Sequence, residues 1–313
     1  MNILITGIHG FVGSNLVATL KYHHTIYGLD IVFTDKDGVK KTYSWNELNE
    51  IPRVDVIIHL AGKAHDTKNK TNEQAYFEIN TGLTQKIYDW FLKSSATKFI
   101  FFSSVKAAAN IVEGDVLTED VIPSPKGPYG ESKIAAEKYL ISQQSTVNNQ
   151  HKKTYILRPC MIHGPGNKGN LNLLYNLVDK GIPYPLGSFE NRRSFCSIDN
   201  LSFVINNLAE KDISTGVYNV CDDEQLSTNE LIILMCNLMN KPNRIWKWNK
   251  SMIQFVANVG TLLHLPLNVD RLQKLTENYV VSNTKLKLAL GIEKMPVNAV
   301  DGFRKTVRSF IGQ

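Results

Sequence analysis

Short runs of aliphatic and β-branched residues alternate along the first two thirds of the chain with longer stretches whose apolar positions recur every three or four residues. The opening run, Asn2-Ile3-Leu4-Ile5-Thr6, predicts a buried strand, after which Phe11, Val12, Leu16, Val17 and Leu20 fall at helical spacing. A second strand is expected over residues 25–29, and buried strands again over 54–62, 98–102, 154–157 and 216–220. Helical periodicity covers 73–92 and 129–142. This alternation predicts βαβ units and so an α/β fold with a doubly wound parallel sheet. Such sheets bind ligands at the carboxyl ends of their strands, where Gly7, Asp30, Gly62 and Ser104 fall. The pattern lapses over 34–51, and no third strand is recognisable between Asp30 and Asp55.

From His163 the pattern changes. A breaker-rich loop, His163-Gly164-Pro165-Gly166-Asn167-Lys168-Gly169-Asn170, precedes a helix over 171–180, a strand over 193–197 and a helix over 200–208. Helices are expected near 229–239, 252–262 and 299–310. With no Pro/Gly/Ser tether, the reading is two interleaved lobes. Residues 1–162 with 197–220 form the dinucleotide-binding domain, and 163–196 with 221–313 a smaller C-terminal substrate lobe.

Two stretches carry chemistry. Gly7, Gly10 and Gly13 lie between the first strand and helix, and Asp30 closes the second strand 17 residues beyond Gly13. Strand, glycine turn, helix, strand and acid have the geometry of a Rossmann-type dinucleotide site. The backbone approaches a pyrophosphate at a helix N-terminus, and the acid accepts hydrogen bonds from ribose hydroxyls. A carboxylate there repels a 2′-phosphate, which favours NAD over NADP. In the second stretch Tyr129 and Lys133 stand four residues apart, on one face of a helix. An ammonium beside a phenol favours the phenolate, which can then exchange protons with a sugar hydroxyl. Ser104 offers a hydroxyl for the same substrate oxygen.

Composition narrows the class. A hydrophobic content of 43% with 20% charged residues is that of a globular protein with a real core. The net charge of +6 is modest and the lysines are scattered, Lys40-Lys41 and Lys152-Lys153 lying far apart, which speaks for an anionic small ligand and against nucleic acid. Cys160, Cys196, Cys221 and Cys236 have no metal-ligand spacing and read as reduced core thiols of a cytoplasmic protein without a metal. No signal peptide is expected. The apolar stretch 255–267 is interrupted by Asn258, Gly260, His264 and Pro266 and is too short for membrane insertion.

The motifs TGxxGxxG from Thr6, HLAG from His59, FFSS from Phe101, YGESK from Tyr129, LRPxxxxGPG from Leu157 and RRSFxSxDNL from Arg192 follow in this order. Together they resemble the extended short-chain dehydrogenase/reductases that act on nucleotide sugars. The finer likeness is to bacterial UDP-sugar 4-epimerases and UDP-4-keto-6-deoxy-N-acetylhexosamine 4-reductases of surface-polysaccharide pathways. The resemblance implies Ser104, Tyr129 and Lys133 as the catalytic set, with Lys133 also bonding the nicotinamide ribose. It implies NAD contacts from Gly7, Gly10, Phe11, Val12, Gly13, Asp30, Leu60, Ala61, Gly62 and Asn80. Asn80 reads equally as a buried helix asparagine bonding the backbone. Asn170 and Arg193 map onto contacts to the diphosphate of a UDP-sugar, Arg193 reading otherwise as a surface ion pair. Arg271 is a second phosphate candidate, or part of a solvated helix face. Lys106, His65 and His163 are further candidates to face the sugar, or structural residues. Val105-Lys106 replaces the Asp-Glu pair of sugar-nucleotide dehydratases, which argues against dehydration. Epimerase and 4-keto reductase both remain open, with a non-catalytic NAD(P)-sensing regulator as the alternative class, and a homodimer is compatible with all three.

Overall fold

The computed structural model describes residues 1–64, 73–146, 151–167, 169–263 and 268–311. The chain begins with β1 (Asn2–Thr6), α1 (Phe11–Leu20), β2 (Thr25–Leu29), β3 (Lys41–Tyr43) and β4 (Val56–His59). The expected 73–92 helix is a composite of α2 (Glu73–Tyr76), a π-helical turn (Phe77–Gly82) and α3 (Leu83–Lys93). Then follow β5 (Lys98–Phe102), a single turn α4 (Val105–Ala108), α5 (Pro128–Thr146), β6 (Lys153–Pro159), β7 (Met161–His163) and α6 (Asn170–Asp179). The last third holds β8 (Arg193–Ser197), α7 (Ile198–Glu210), β9 (Gly216–Val220), β10 (Gln225–Leu226), α8 (Thr228–Leu238), α9 (Lys250–Leu262), α10 (Val269–Thr276), α11 (Thr284–Leu290) and α12 (Ala299–Ile311).

Seven strands form one sheet in the order β3-β2-β1-β4-β5-β6-β9, every pair parallel. Alternate side chains feed opposite cores. Ile3, Ile5, Ile58 and Ile100 pack with Leu16 of α1 and Leu201 of α7. Leu4, Ile57, Phe99 and Phe101 pack with Ile87 and Phe91 of α3 and Ala136 and Leu140 of α5. Both faces are covered, which is why these strands read as unbroken apolar runs. Residues 279–295 return to the first of these cores through Tyr279, Val281, Leu286, Leu290 and Met295. A third core lies off the sheet, where Leu171, Leu231, Met235, Ile253, Ala257, Phe303 and Phe310 meet. Beside it runs a small sheet in the order β10-β8-β7.

The structure corrects one expectation. A third strand does exist before Asp55: β3 pairs with β2, Leu29 opposite Tyr43, and the Tyr43 carbonyl accepts from Asp30 N–H at 3.0 Å. It is three residues long, starts with a lysine and sits at the edge, so periodicity could not reveal it. Ser44, not an acid, follows it.

Candidate active site

The strand order reverses between β1 and β4, and the crevice outside their carboxyl ends is the ligand position of such a sheet. Gly7 stands there at φ +67, and a Cβ on it would lie 2.9 Å from the Ala61 nitrogen of the facing loop. At Gly13 a Cβ would meet the Gly7 carbonyl oxygen at 2.6 Å, so α1 sits directly on the glycine loop. Gly10 caps α1 without a side chain, and the first turn has no acidic residue. Its N–H groups, which have no partner within the helix, are therefore open to an anion. Asp30 leans against this loop: one carboxylate oxygen accepts from His9 N–H at 3.0 Å, the other from Ile31 N–H at 2.7 Å and Val32 N–H at 3.4 Å. A cradle with no room for a Cβ, a helix N-terminus and an anchored carboxylate fit the pyrophosphate and ribose of a dinucleotide.

The facing loop is fixed from below. His59, buried at the end of β4, bonds Thr6 Oγ1 at 2.7 Å and Thr84 Oγ1 at 2.9 Å. Thr84 donates its own proton to the Asn80 carbonyl at 2.6 Å, so it accepts from His59 Nε2. Thr6 consequently donates to Nδ1 and accepts from Ala61 N–H at 3.0 Å. Burial holds this imidazole neutral, its pKa pushed down to about 3, and the Lys133 ammonium adds to the effect. Asn80, buried in the π-helical turn, accepts from Lys63 N–H at 2.7 Å and donates to the Lys63 carbonyl at 3.1 Å and the Ser132 hydroxyl at 2.9 Å. Of its two sequence readings, the structure displays the backbone-bonding one. Asn80 shapes the turn at Leu60-Ala61-Gly62 and ties it to α5. A π-helical segment at such a place is a common companion of functional sites.

Ser104, Tyr129 and Lys133 come together beside that turn. The Ser104 side chain sits close enough to the Tyr129 phenol to influence its proton, and its hydroxyl accepts from Lys106 N–H at 3.2 Å to cap α4. Burial pushes the phenol above its ordinary value of 10.0, and Ser104 opposes the rise. Lys133 buries its ammonium under Gly62, where an added Cβ would lie 3.1 Å from Nζ, and donates to the Phe102 carbonyl at 2.7 Å. Burial lowers its pKa to about 8, against the pull of the Glu137 carboxylate one turn further along α5. Glu137 accepts from the Ser103 hydroxyl and from Arg158, whose Nε lies at 3.0 Å and Nη2 at 2.6 Å. The sequence reading missed this Ser103–Glu137–Arg158 set. Its available signal was the four-residue step from Lys133 to Glu137.

On the other side of Ser104 lies a charged cluster. Arg193 opens β8, half-buried, and burial lowers its pKa while Glu277 opposes that. It pairs in register with Tyr279, whose hydroxyl donates to the Ala109 carbonyl at 2.7 Å and so ties β8 to the segment that follows Ser104. The Lys106 ammonium lies 4.0 Å from the Tyr279 ring centroid and 4.0 Å from Glu277 Oε1, and donates to the Asn110 carbonyl at 2.8 Å. Phe11 and Val12 are half-buried in the first turn of α1, and the glycine loop at 164–166 meets that helix through a bond from Asn15 to the Pro165 carbonyl at 3.0 Å. Arg271 is exposed on α10. His163 is a core residue, stacked on Phe303 at 3.8 Å and bonded to Thr306, and does not face a cleft. His65, Lys168 and the side chain of Asn170 lie outside the described residues. The four cysteines are buried and unpaired.

Residues 3–221 match the family model of the NAD dependent epimerase/dehydratase family. A UDP-glucose 4-epimerase of Vibrio cholerae is 32% identical over 326 residues, covering 99% of this chain and 95% of the relative. A GDP-6-deoxy-D-mannose reductase of Pseudomonas aeruginosa is 25% identical over 246 residues, covering 75% of this chain and 79% of that protein. In fold the chain is similar to MoeE5, solved in complex with UDP-glucuronic acid and NAD, with a TM-score of 0.77, 18% identity, and coverage of 100% of this chain and 99% of that one.

Proposed function

The chain belongs to the NAD dependent epimerase/dehydratase family and is an NAD-dependent enzyme of the extended short-chain dehydrogenase/reductase type, and from that premise we propose that it is a UDP-sugar 4-epimerase. Its substrate would be a UDP-hexose or UDP-N-acetylhexosamine. The observation that carries the reading is the convergence of Ser104 and Tyr129 beside the Gly62 turn, with Lys133 buried one helical turn along α5 and fixed to the Phe102 carbonyl.

Ser104 holds the 4-hydroxyl, and Tyr129 takes its proton as C4 is oxidised and returns it when C4 is reduced. When bound, NAD supplies the hydride acceptor and, in an epimerase, the donor that returns the hydride to the opposite face. Lys133 favours the phenolate through its charge. Val105 and Lys106 supply no carboxylate at the place where a dehydratase needs an acid and a base. Arg193 would hold the diphosphate, its planar fork matching phosphate oxygens.

An NAD(P)H-dependent 4-reductase of a UDP-4-keto-6-deoxy-N-acetylhexosamine, which would deliver one hydride per cycle and release oxidised cofactor, is the second reading, favoured by the 25% identity to a sugar-nucleotide reductase. One assay separates them. Purified protein, given UDP-glucose or UDP-N-acetylglucosamine and no added reductant, should reach the same mixture of 4-epimers from either side. Failure to epimerise any UDP-hexose, with stoichiometric consumption of NADH by the 4-keto sugar, would establish the reductase instead.

A further inference from the structure

The composition made the positive charge look scattered. Two of its lysines, Lys247 and Lys250, adjoin an apolar face that no described residue covers. Between Glu230 and Asp270 there is no aspartate or glutamate, while Lys241, Arg244, Lys247 and Lys250 all fall in that interval. Within it, α9 buries only one narrow row, Ile253, Ala257 and Gly260. Met252, Phe255, Val256, Val259, Leu262 and Leu263 repeat at three- and four-residue steps and form a second, adjoining row. All are exposed except the half-buried Val259; Phe255 is 67% and Leu262 78% accessible. Just before the helix, Trp246 and Trp248 stack at 6.0 Å, both exposed, with Lys247 between them. Five apolar side chains on one 13-residue helix and a sixth at its C-cap, with two tryptophans alongside, exceed the scattered exposure that any surface shows.

We propose that this face rests on the surface of a bilayer rich in anionic phospholipid, with α9 lying in the interface plane. Charge decides the occupant. Lys241 is ion-paired to Asp179 and Arg244 donates to the Gly181 carbonyl, but Lys247 and Lys250 adjoin the apolar row with no acidic residue from 231 to 269, which is complementary to a negative headgroup layer, whereas a second copy of the same face would meet it with like charge. Tryptophans and lysines flanking an apolar row are the side chains that settle at a headgroup boundary. Length excludes spanning: none of the described helices is long and apolar enough, and 13 residues reach only about 20 Å. The inference holds whether the enzyme epimerises or reduces.

Flotation of the full chain with vesicles tests it. Protein should float with equal parts phosphatidylglycerol and phosphatidylcholine and stay behind with phosphatidylcholine alone, and tryptophan fluorescence should shift to the blue on binding. Phe255→Ser with Leu262→Ser should reduce partitioning roughly ten- to a hundredfold. Lys247→Glu with Lys250→Glu, a surface pair that leaves the apolar row intact, should cost at least about fivefold per residue and abolish the preference for anionic vesicles. Thermal unfolding and NAD binding, both unchanged, confirm that the variants are folded. Wild-type protein that ignores both vesicles, binds both equally, or is indifferent to the lysine pair refutes the proposal. So does a wild-type dimer in sedimentation velocity that the Phe255/Leu262 variant converts to monomer, since a second copy then covers the face.

Discussion

Lys133 should be a stability liability at neutral pH, and its removal should reveal this. Its pKa of about 8 in the folded chain lies below the ordinary value of 10.5 because the ammonium is buried beneath the Gly62 turn. Between those two values the unfolded chain binds more protons than the folded one, so wild-type stability rises with pH across that window. Below about pH 8 the full penalty applies, and above 10.5 it vanishes. The gap corresponds to roughly 3 kcal/mol. Lys133→Met keeps the length of the side chain and removes the charge. Glu137 stays paired with Arg158. The variant loses the bond to the Phe102 carbonyl, which costs about 1–3 kcal/mol but does not depend on pH. At about pH 7 the two effects nearly cancel or leave the variant slightly more stable, although it is inactive. Above about pH 10.5 only the loss remains. Urea unfolding of nucleotide-stripped wild type and variant, followed across that range, gives the difference directly. A difference that stays flat with pH would mean that Lys133 is not held as a buried ammonium.

Three further outcomes are expected. Tyr129→Phe should lower kcat by roughly 10²–10⁴-fold while calorimetric binding of NAD and UDP stays unchanged, because only the proton relay is lost; substantial residual turnover would move the acid/base elsewhere. Asp30→Ala should weaken NAD and improve NADP, shifting the ratio of their affinities in a fluorescence titration, since the carboxylate both holds a ribose and repels a 2′-phosphate; an unmoved ratio would place the ribose elsewhere. Arg193→Ala should weaken UDP binding about ten- to a hundredfold with NAD saturating, the loss expected for a charge-assisted bond; unchanged affinity would remove it from the site.

The parts of this site legible in the sequence are those set by near neighbours. Strand, glycine loop, helix and Asp30 lie within the first thirty residues, and Tyr129 and Lys133 are one helical turn apart, so spacing alone arranges them. What pairs over long distances was not legible. Asn80 meets Lys63 seventeen residues back and Ser132 fifty-two residues on, and no local pattern announces either. Glu137 reads as an ordinary helix glutamate until β6 delivers Arg158 beneath it. His163 sits in a loop-forming sequence that suggests exposure, yet α12 closes over it with Phe303 and Thr306 from far along the chain. The short edge strand β3 has too few residues to show a period.

These distant contacts divide the site into two kinds of structure. Around Lys133, α5 is pinned on one side by Ser132, through Asn80, and on the other by Glu137, through Arg158 and Ser103. Every partner there is buried, so the catalytic lysine is placed before any ligand arrives, as a preorganised site requires. Around Arg193 the balance differs. Glu277 lies 4.0 Å from the Lys106 ammonium and raises the pKa of the half-buried Arg193 against the burial that lowers it, so charge rather than close packing holds this side together. On the function proposed above, the rigid half would serve the chemistry at C4 and the Arg193 side would hold the nucleotide diphosphate. On this division, substitutions at Ser104 and Tyr129 should spare binding, and substitutions in the Arg193 cluster should change affinity first.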